Sequence, residues 1–293
     1  MTRWIAVDWG TTALRATLMD GAEAVETREN GDGMNALTRD RFEPSLLRLT
    51  DDWITGPVRI LCCGMVGARQ GWAEAPYRTV PCTPLGDAAI RVETSDPRLD
   101  VRIVPGLRQL APHPDVMRGE ETQIAGILRR IDGFDGVACL PGTHTKWAHL
   151  SAGEVVSFRT ILTGELFATL SSNTVLRHSL TGDGWEEAPF LDAVSDALSR
   201  PEIVTARLFE LRAADLLHGQ DAAIARSLLS GLLIGAELAA TRPWWLGRDV
   251  VVTGSARTTR AYAAALQSQG VTPRILQADA MTLAGLTAAS DLP

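Results

Sequence analysis

Asp8, Gly10, Thr11 and Thr12 fall within five residues of one another, and residue types of that kind at that spacing suit a phosphate group. A glycine lets backbone N–H groups approach an anion closely, because no Cβ stands in the way. The threonines add hydroxyl donors, and a carboxylate at a strand end is placed to hold a hydrated Mg²⁺. A plain hairpin turn beside an acidic residue would present the same atoms, and short motifs recur by chance. A second copy weighs against chance. Pro141-Gly142-Thr143-His144-Thr145-Lys146 is again a Gly-Thr turn between two apolar runs, 136–140 and 147–150. Two such turns could grip one polyphosphate from opposite sides. Among the 28 basic residues Lys146 is the one lysine, and it lies in this second turn. There a compact ammonium differs from a broad guanidinium.

Two further stretches hold chemistry. Residues 64–77 contain three glycines together with Arg69, Trp72, Glu74 and Tyr77, after a buried-type strand. In open α/β sheets ligands gather at strand carboxyl ends, and functional groups concentrate on such loops. The alternative is a surface turn with Trp72 and Tyr77 tucked into the core. Glu120 and Glu121 open an amphipathic helix, where carboxylates suit the helix dipole. The dipole accounts for one acid easily and for two adjacent ones less obviously. Residues 31–36 match a GxGxxA pattern, yet no helix opens there, so they read as a loop.

The elements that must position these residues follow from periodicity. Strands are expected at 4–7, 14–19 and 24–27, a helix at 40–54, and strands at 58–63 and 101–104, with a short helix at 84–94. The Glu120 helix follows. Strands at 136–140, 147–150 and 155–160 then precede helices at 165–178, 187–199 and 222–241. A strand at 249–253, a helix at 258–269, a strand at 274–276 and a helix at 279–289 close the chain. Each half opens with three strands and then alternates, which implies two similar α/β domains with a ligand cleft between them. The boundary is placed at the Glu120 helix, giving domains 1–118 and 119–293.

A chain of 293 residues with 45% apolar and 22% charged residues has a large core available. Its net charge of −7 disfavours a nucleic-acid surface. Met1-Thr2-Arg3 runs straight into a strand pattern, so no signal peptide is expected. The apolar stretch 228–240 is interrupted by Ser230, Gly231, Gly235 and Glu237, and reads as too short and too polar to span a bilayer. Four cysteines without disulfide or zinc spacing fit a reducing cytoplasm.

Taken together, the Asp8–Thr12 and Leu140–Thr145 motifs resemble the two phosphate motifs of the actin, Hsp70 and sugar-kinase superfamily. Val251-Val252-Thr253-Gly254-Ser255-Ala256 resembles its adenosine motif, with Thr253-Gly254-Ser255 where a double glycine is more usual. The resemblance implies two ribonuclease-H-like (actin-like ATPase) domains with ATP between them. More narrowly, 64–77, Arg118-Gly119-Glu120-Glu121-Thr122-Gln123, 141–147 and Thr163-Gly164-Glu165-Leu166-Phe167 resemble the 2-dehydro-3-deoxygalactonokinase family over nearly the whole chain. In the first string Ala68 replaces a more usual serine.

That resemblance implies transfer of the ATP γ-phosphoryl group to the terminal hydroxyl of 2-dehydro-3-deoxy-D-galactonate. It implies Mg²⁺ held by Asp8 through a bridging water. It further implies phosphates at Gly10, Thr11, Thr12, Arg15, Gly142, Thr143, His144 and Lys146, and adenosine at Thr253, Gly254 and Ser255. The sugar acid falls to Arg69, Trp72, Glu74 and Tyr77, with Arg69 as bidentate partner of its carboxylate. Glu120 is the implied general base, and Glu121 its rival, because neighbours in a helical turn point about 100° apart. Kinases of other sugars or sugar acids, a phosphohydrolase of the same fold, a filament protein and a chaperone ATPase are the alternatives. A homodimer stands beside the monomer as the expected assembly.

Overall fold

The computed structural model describes residues 3–291, so Met1 and Thr2, which opened the leader-free reading, lie outside the described residues. The first strands are β1 (Arg3–Trp9), β2 (Leu14–Asp20) and β3 (Glu23–Asn30). β1 is buried on both faces from Trp4 to Val7, as a central strand requires. β3 is exposed and charged, as suits an edge. Next come α1 (Phe42–Thr50), β4 (Val58–Gly64), β5 (Tyr77–Thr79), β6 (Ile90–Arg91), β7 (Leu99–Ile103), β8 (Gly106–Gln109), β9 (Asp115–Met117) and α2 (Glu120–Arg130). Six of the strands form a sheet in the order β3-β2-β1-β4-β7-β6, antiparallel through β1–β3 and parallel from β1 through β4 to β7. β5, β8 and β9 form a small second sheet that periodicity did not reveal. The helix expected at 84–94 is absent. The pair β6 stands there instead, antiparallel to β7, because the sheet edge offers Ile90 and Arg91 hydrogen-bond partners that an isolated short helix lacks.

The chain continues through β10 (Gly136–Leu140), β11 (Thr145–Ser151), β12 (Glu154–Ile161), α3 (Thr163–Asn173), α4 (Glu187–Ser199), α5 (Val204–His218), α6 (Ala222–Ala240) and α7 (Arg242–Trp245). It ends with β13 (Val250–Gly254), α8 (Ala256–Gln267), β14 (Arg274–Gln277) and α9 (Ala278–Ser290). The second large sheet has the order β12-β11-β10-β13-β14. α5 was not expected: Phe209, Leu216 and Leu217 are exposed while Leu211 is buried, so its apolar residues do not form one clean stripe. α6 corrects another reading. At 19 residues and a mean hydropathy of 1.5 it is long and apolar enough to cross a membrane by length and composition. Half of it is nevertheless buried in protein, and Leu229, Leu232 and Leu238 lie in packed cores.

Two compact units result. One comprises 1–135, 150–158 and 278–293; the other comprises 136–149 and 159–277. The boundary read at 118/119 therefore falls inside the first unit. α2 and α9 pack together there, although the chain separates them by more than a hundred residues. Periodicity cannot show such a return, since it reports which face is apolar and not what covers it.

Candidate active site

In the first unit the β1–β2 register sets Asp8 opposite Arg15, and Gly10 N–H closes the turn onto Ala13 O at 2.9 Å. The 31–36 loop packs onto this turn. Met34 and Asn35 N–H donate to Gly10 O and Thr11 O, each at 3.0 Å. A Cβ on Gly33 would stand 2.3 Å from the Thr12 carbonyl carbon, so the approach requires glycine. The loop thus engages the turn's carbonyls and leaves Thr11 and Thr12 exposed. The glycine pattern was visible in the sequence, but its partner was not.

Asp8 is half-buried and borders a 230 Å³ cavity with Arg15, Thr17, Thr27 and Asp279. Burial pushes its carboxyl up to about 6; Arg15 opposes this, and Asp279, Glu120 and Glu29 add to it. Arg15 pairs with Glu29 at 2.7 Å and with Asp279 at the head of α9. A phosphate at Arg15 would share the guanidinium with these two carboxylates.

Glu120 and Glu121 occupy different environments. Glu120 is half-buried and accepts from the Arg118 backbone N–H at 3.1 Å. Glu121 is fully buried and accepts from Gly119 N–H at 2.7 and 2.9 Å and from the Thr122 hydroxyl at 3.2 Å. Burial, reinforced by Glu120, pushes the Glu121 carboxyl up to about 8. One acid thus belongs to the core, while the other keeps solvent access beside Asp8, whose carboxyl it perturbs.

The 64–77 loop divides as well. Arg69 is 81% exposed and sits 3.7 Å from Glu74, itself exposed. Trp72 is corrected from a binding residue to a core residue. It is 7% exposed and packs against Trp9 and Phe42 with ring centroids 6.1 and 6.2 Å away. Its large apolar area decides its place. Tyr77 lies on β5 with the Arg118 guanidinium 4.4 Å from its ring centroid. Arg118, which had no role in the sequence reading, is 9% exposed and donates to Ala75 O at 2.7 Å.

In the second unit Gly142, Thr143 and His144 are exposed on the turn. The head of α3 clamps them. Glu165 N–H donates to Thr143 O at 2.8 Å, and the Glu165 carboxylate meets His144 Nε2 at 2.6 Å. A Cβ on Gly164 would stand 2.1 Å from Gly142 O, which explains a glycine at that position. Lys146 is 5% exposed, and its Nζ donates to Thr160 Oγ1 at 2.9 Å. The lone lysine is therefore held inside the sheet and not on the exposed rim of the turn.

Beside this turn lies a cavity of 490 Å³. Gly142, Thr163, Gly164, Phe167, Trp185 and Tyr262 contribute to its wall, with Arg226 and Arg260. Arg226 lies over the Phe167 ring and Arg260 over Trp185. Thr253, Gly254 and Ser255 are not among the residues that line the cavity. Thr253 is buried, a Cβ on Gly254 would stand 2.9 Å from Pro141 O, and Ser255 caps α8 by accepting from Thr258 N–H at 3.2 Å. The next turn, Ala256 to Tyr262, supplies the lining. The helix that follows the motif, and not the motif itself, contributes to the cavity wall. Phe167, Trp185 and Arg226 come from separated stretches with no shared pattern, so only folding assembles them.

The described residues contain no cluster of three or more His, Cys, Asp or Glu side chains able to hold a metal by themselves. Asp8 alone suits a cation whose remaining ligands are water and phosphate oxygens. The two large sheets, each with its helices, define a protein of the actin-like ATPase fold. The activator of 2-hydroxyisocaproyl-CoA dehydratase from Clostridium difficile, solved with bound ADPNP, shares that fold alone, with a TM-score of 0.54 at 10% identity over 99% of this chain and 95% of that one.

The model of the 2-keto-3-deoxy-galactonokinase family matches residues 8–289, and the chain belongs to that family. It is 40% identical to a probable 2-dehydro-3-deoxygalactonokinase of Rhizobium meliloti (strain 1021), over 98% of this chain and 96% of that protein. It is 34% identical to the 2-dehydro-3-deoxygalactonokinase of Escherichia coli (strain K12), over 97% and 96%. A crystal structure from Sinorhizobium meliloti, assigned to the same activity, superposes with a TM-score of 0.90 at 38% identity, over 98% of both chains.

Proposed function

We propose that the protein transfers the γ-phosphoryl group of ATP to the terminal hydroxyl of 2-dehydro-3-deoxy-D-galactonate, giving the 6-phosphate and ADP. The observation that carries the residue assignment is that the end of β4 joins Asp8 to the head of α2 within one unit: a Cβ on Gly64 would stand 3.5 Å from Asp8 Oδ1 and one on Gly119 3.3 Å from Gly64 Cα, with Asp8 and Glu120 both half-buried. Phosphoryl transfer needs positioning, neutralised charge and a base near the attacking hydroxyl, and little covalent help. Glu120 takes the hydroxyl proton as the new O–P bond forms and the bond to the β-phosphate oxygen breaks. The Arg118 N–H donates to the Glu120 carboxylate at 3.1 Å and fixes the side chain at the head of α2.

The base and ribose of ATP occupy the 490 Å³ cavity, where Trp185 and Phe167 offer apolar faces. Gly142 and Thr143 donate to the phosphates, and Gly10 to Thr12 form a turn of the same kind in the other unit. Asp8 would hold Mg²⁺ through water, and the ion would supply charge neutralisation at the phosphates. The acidic surroundings of Asp8, with Asp279, Glu29 and Glu120 all raising its carboxyl, suit a divalent cation. Arg69 receives the substrate carboxylate, and its exposure leaves it accessible for that role.

An assay coupled to ADP release, run across aldonic and 2-keto-3-deoxy acids, tests the reading. The galactonate derivative is expected to give the highest kcat/KM. Glu120→Gln should lower kcat by roughly 10²–10⁴ with little change in the KM for ATP. Asp8→Asn should abolish turnover. ADP release at the same rate without any sugar acid would identify a hydrolase and overturn the proposal.

A further inference from the structure

The cavity of the second unit is framed by elements that meet at one buried carboxylate. α6 lies against α4 at backbone distance. A Cβ on Gly231 would stand 2.3 Å from Phe190 O, and one on Gly235 would stand 2.6 Å from Val194 O. The helix is thereby fixed against rolling. Two residues beyond Gly235, Glu237 is 2% exposed and receives three donors. Trp147 Nε1–H donates at 2.7 Å, Tyr262 O–H donates at 2.7 Å, and the Thr163 hydroxyl donates as well. Tyr262 also shares a 2.9 Å hydrogen bond with Thr145 Oγ1. These donors stand on β11, on α8 and on the first residue of α3. Thr163 and Tyr262 line the cavity, and Thr145 and Trp147 follow directly on the 142–144 turn.

An ionised carboxylate is acceptor-only, so it can satisfy all three donors at once. Each of them, left unpaired in the interior, would destabilise the arrangement. We infer that Glu237 is a positioning residue for the nucleotide: it fixes the spacing of the second turn, the head of α3 and α8, and with it the width of the cavity. Glu237 touches no cavity surface itself. The inference rests on the reading of this cavity as the nucleotide's.

ADP titrated calorimetrically into the full-length protein, beside steady-state kinetics, provides the test. Glu237→Ala should raise the Kd for ADP and the KM for ATP by about tenfold or more, since it removes the buried acceptor of the Trp147 indole N–H and the Thr163 hydroxyl and leaves Tyr262 only Thr145. The KM for the sugar acid should stay within about twofold, because that substrate does not depend on this frame. Glu237→Gln keeps an oxygen for the indole, and the two hydroxyls can turn to accept from its amide. It should stay within about threefold of the wild type. Where Glu237→Ala does not fold, Tyr262→Phe keeps the ring and deletes two hydrogen bonds, and should weaken ADP by about threefold or more. Wild-type ADP affinity in Glu237→Ala or Tyr262→Phe overturns the inference. So does an equal rise in both KM values without rescue by glutamine. Ser230→Trp, which fills the cavity, separates the two readings. If it too binds ADP normally, the nucleotide lies elsewhere and both fall. If it abolishes ADP binding while Glu237→Ala does not, only the positioning role falls.

Discussion

Replacing Glu121 by glutamine should make the protein more stable, and increasingly so as pH rises. Glu121 is fully buried, and burial raises its carboxyl from an ordinary 4.5 to about 8, with Glu120 adding to the effect. A raised carboxyl binds its proton more tightly folded than unfolded. Folding is therefore unpenalised below about pH 4.5, and stability is lost as pH climbs toward 8, at up to about 1.4 kcal/mol per pH unit. Across the whole window this sums to roughly 5 kcal/mol, and relaxation around the charge should reduce it toward about 2 kcal/mol. Glutamine is neutral throughout, accepts from Gly119 N–H through its oxygen, and resembles the protonated acid in shape. The assay is urea denaturation of wild type and Glu121→Gln at pH 5, 6, 7 and 8. The two should agree at pH 5 and diverge steadily to pH 8, with the variant the more stable. Parallel curves would refute the argument, because they would mean that the buried acid carries no protonation penalty. The kcat of Glu121→Gln should remain within about tenfold of wild type, which separates a core acid from a base.

Arg69→Ala should raise the KM for the sugar acid about tenfold with the KM for ATP unchanged, as expected for an exposed ion pair made only to substrate; equal damage to both would indicate a structural role. Lys146→Arg should destabilise by about 1–3 kcal/mol in thermal or chemical denaturation, since the larger guanidinium must enter a buried slot beside Thr160. Trp72→Ala should cost about 3–5 kcal/mol of stability, through the cavity left between Trp9 and Phe42; a folded variant of normal stability with a raised sugar-acid KM would restore it to the substrate site.

What the sequence by itself determined was local. Strand, turn and strand around Gly10 and Gly142 follow from alternation and glycine placement, and both appear where periodicity put them. Glu120 and Glu121 fall at the head of a helix because the apolar spacing begins just after them. These features depend on a few consecutive residues, so a linear pattern can record them.

Only the tertiary structure decided which residues of each motif are buried and which stay accessible. Trp72 reads as an aromatic on a binding loop until Trp9 and Phe42 claim its surface. Glu120 and Glu121 are equivalent in composition, and the packing of α2 sends one into the core and leaves the other half-exposed. The adenosine-type motif marks the end of β13, yet the first turns of α8 line the cavity, together with residues from α3, α6 and the 183–185 loop. Asp279 reaches Arg15 because α9 returns to the first unit after the second is complete. Each of these outcomes depends on which distant surface covers a side chain. Burial and desolvation act through space, and a pattern read along the chain holds no record of them.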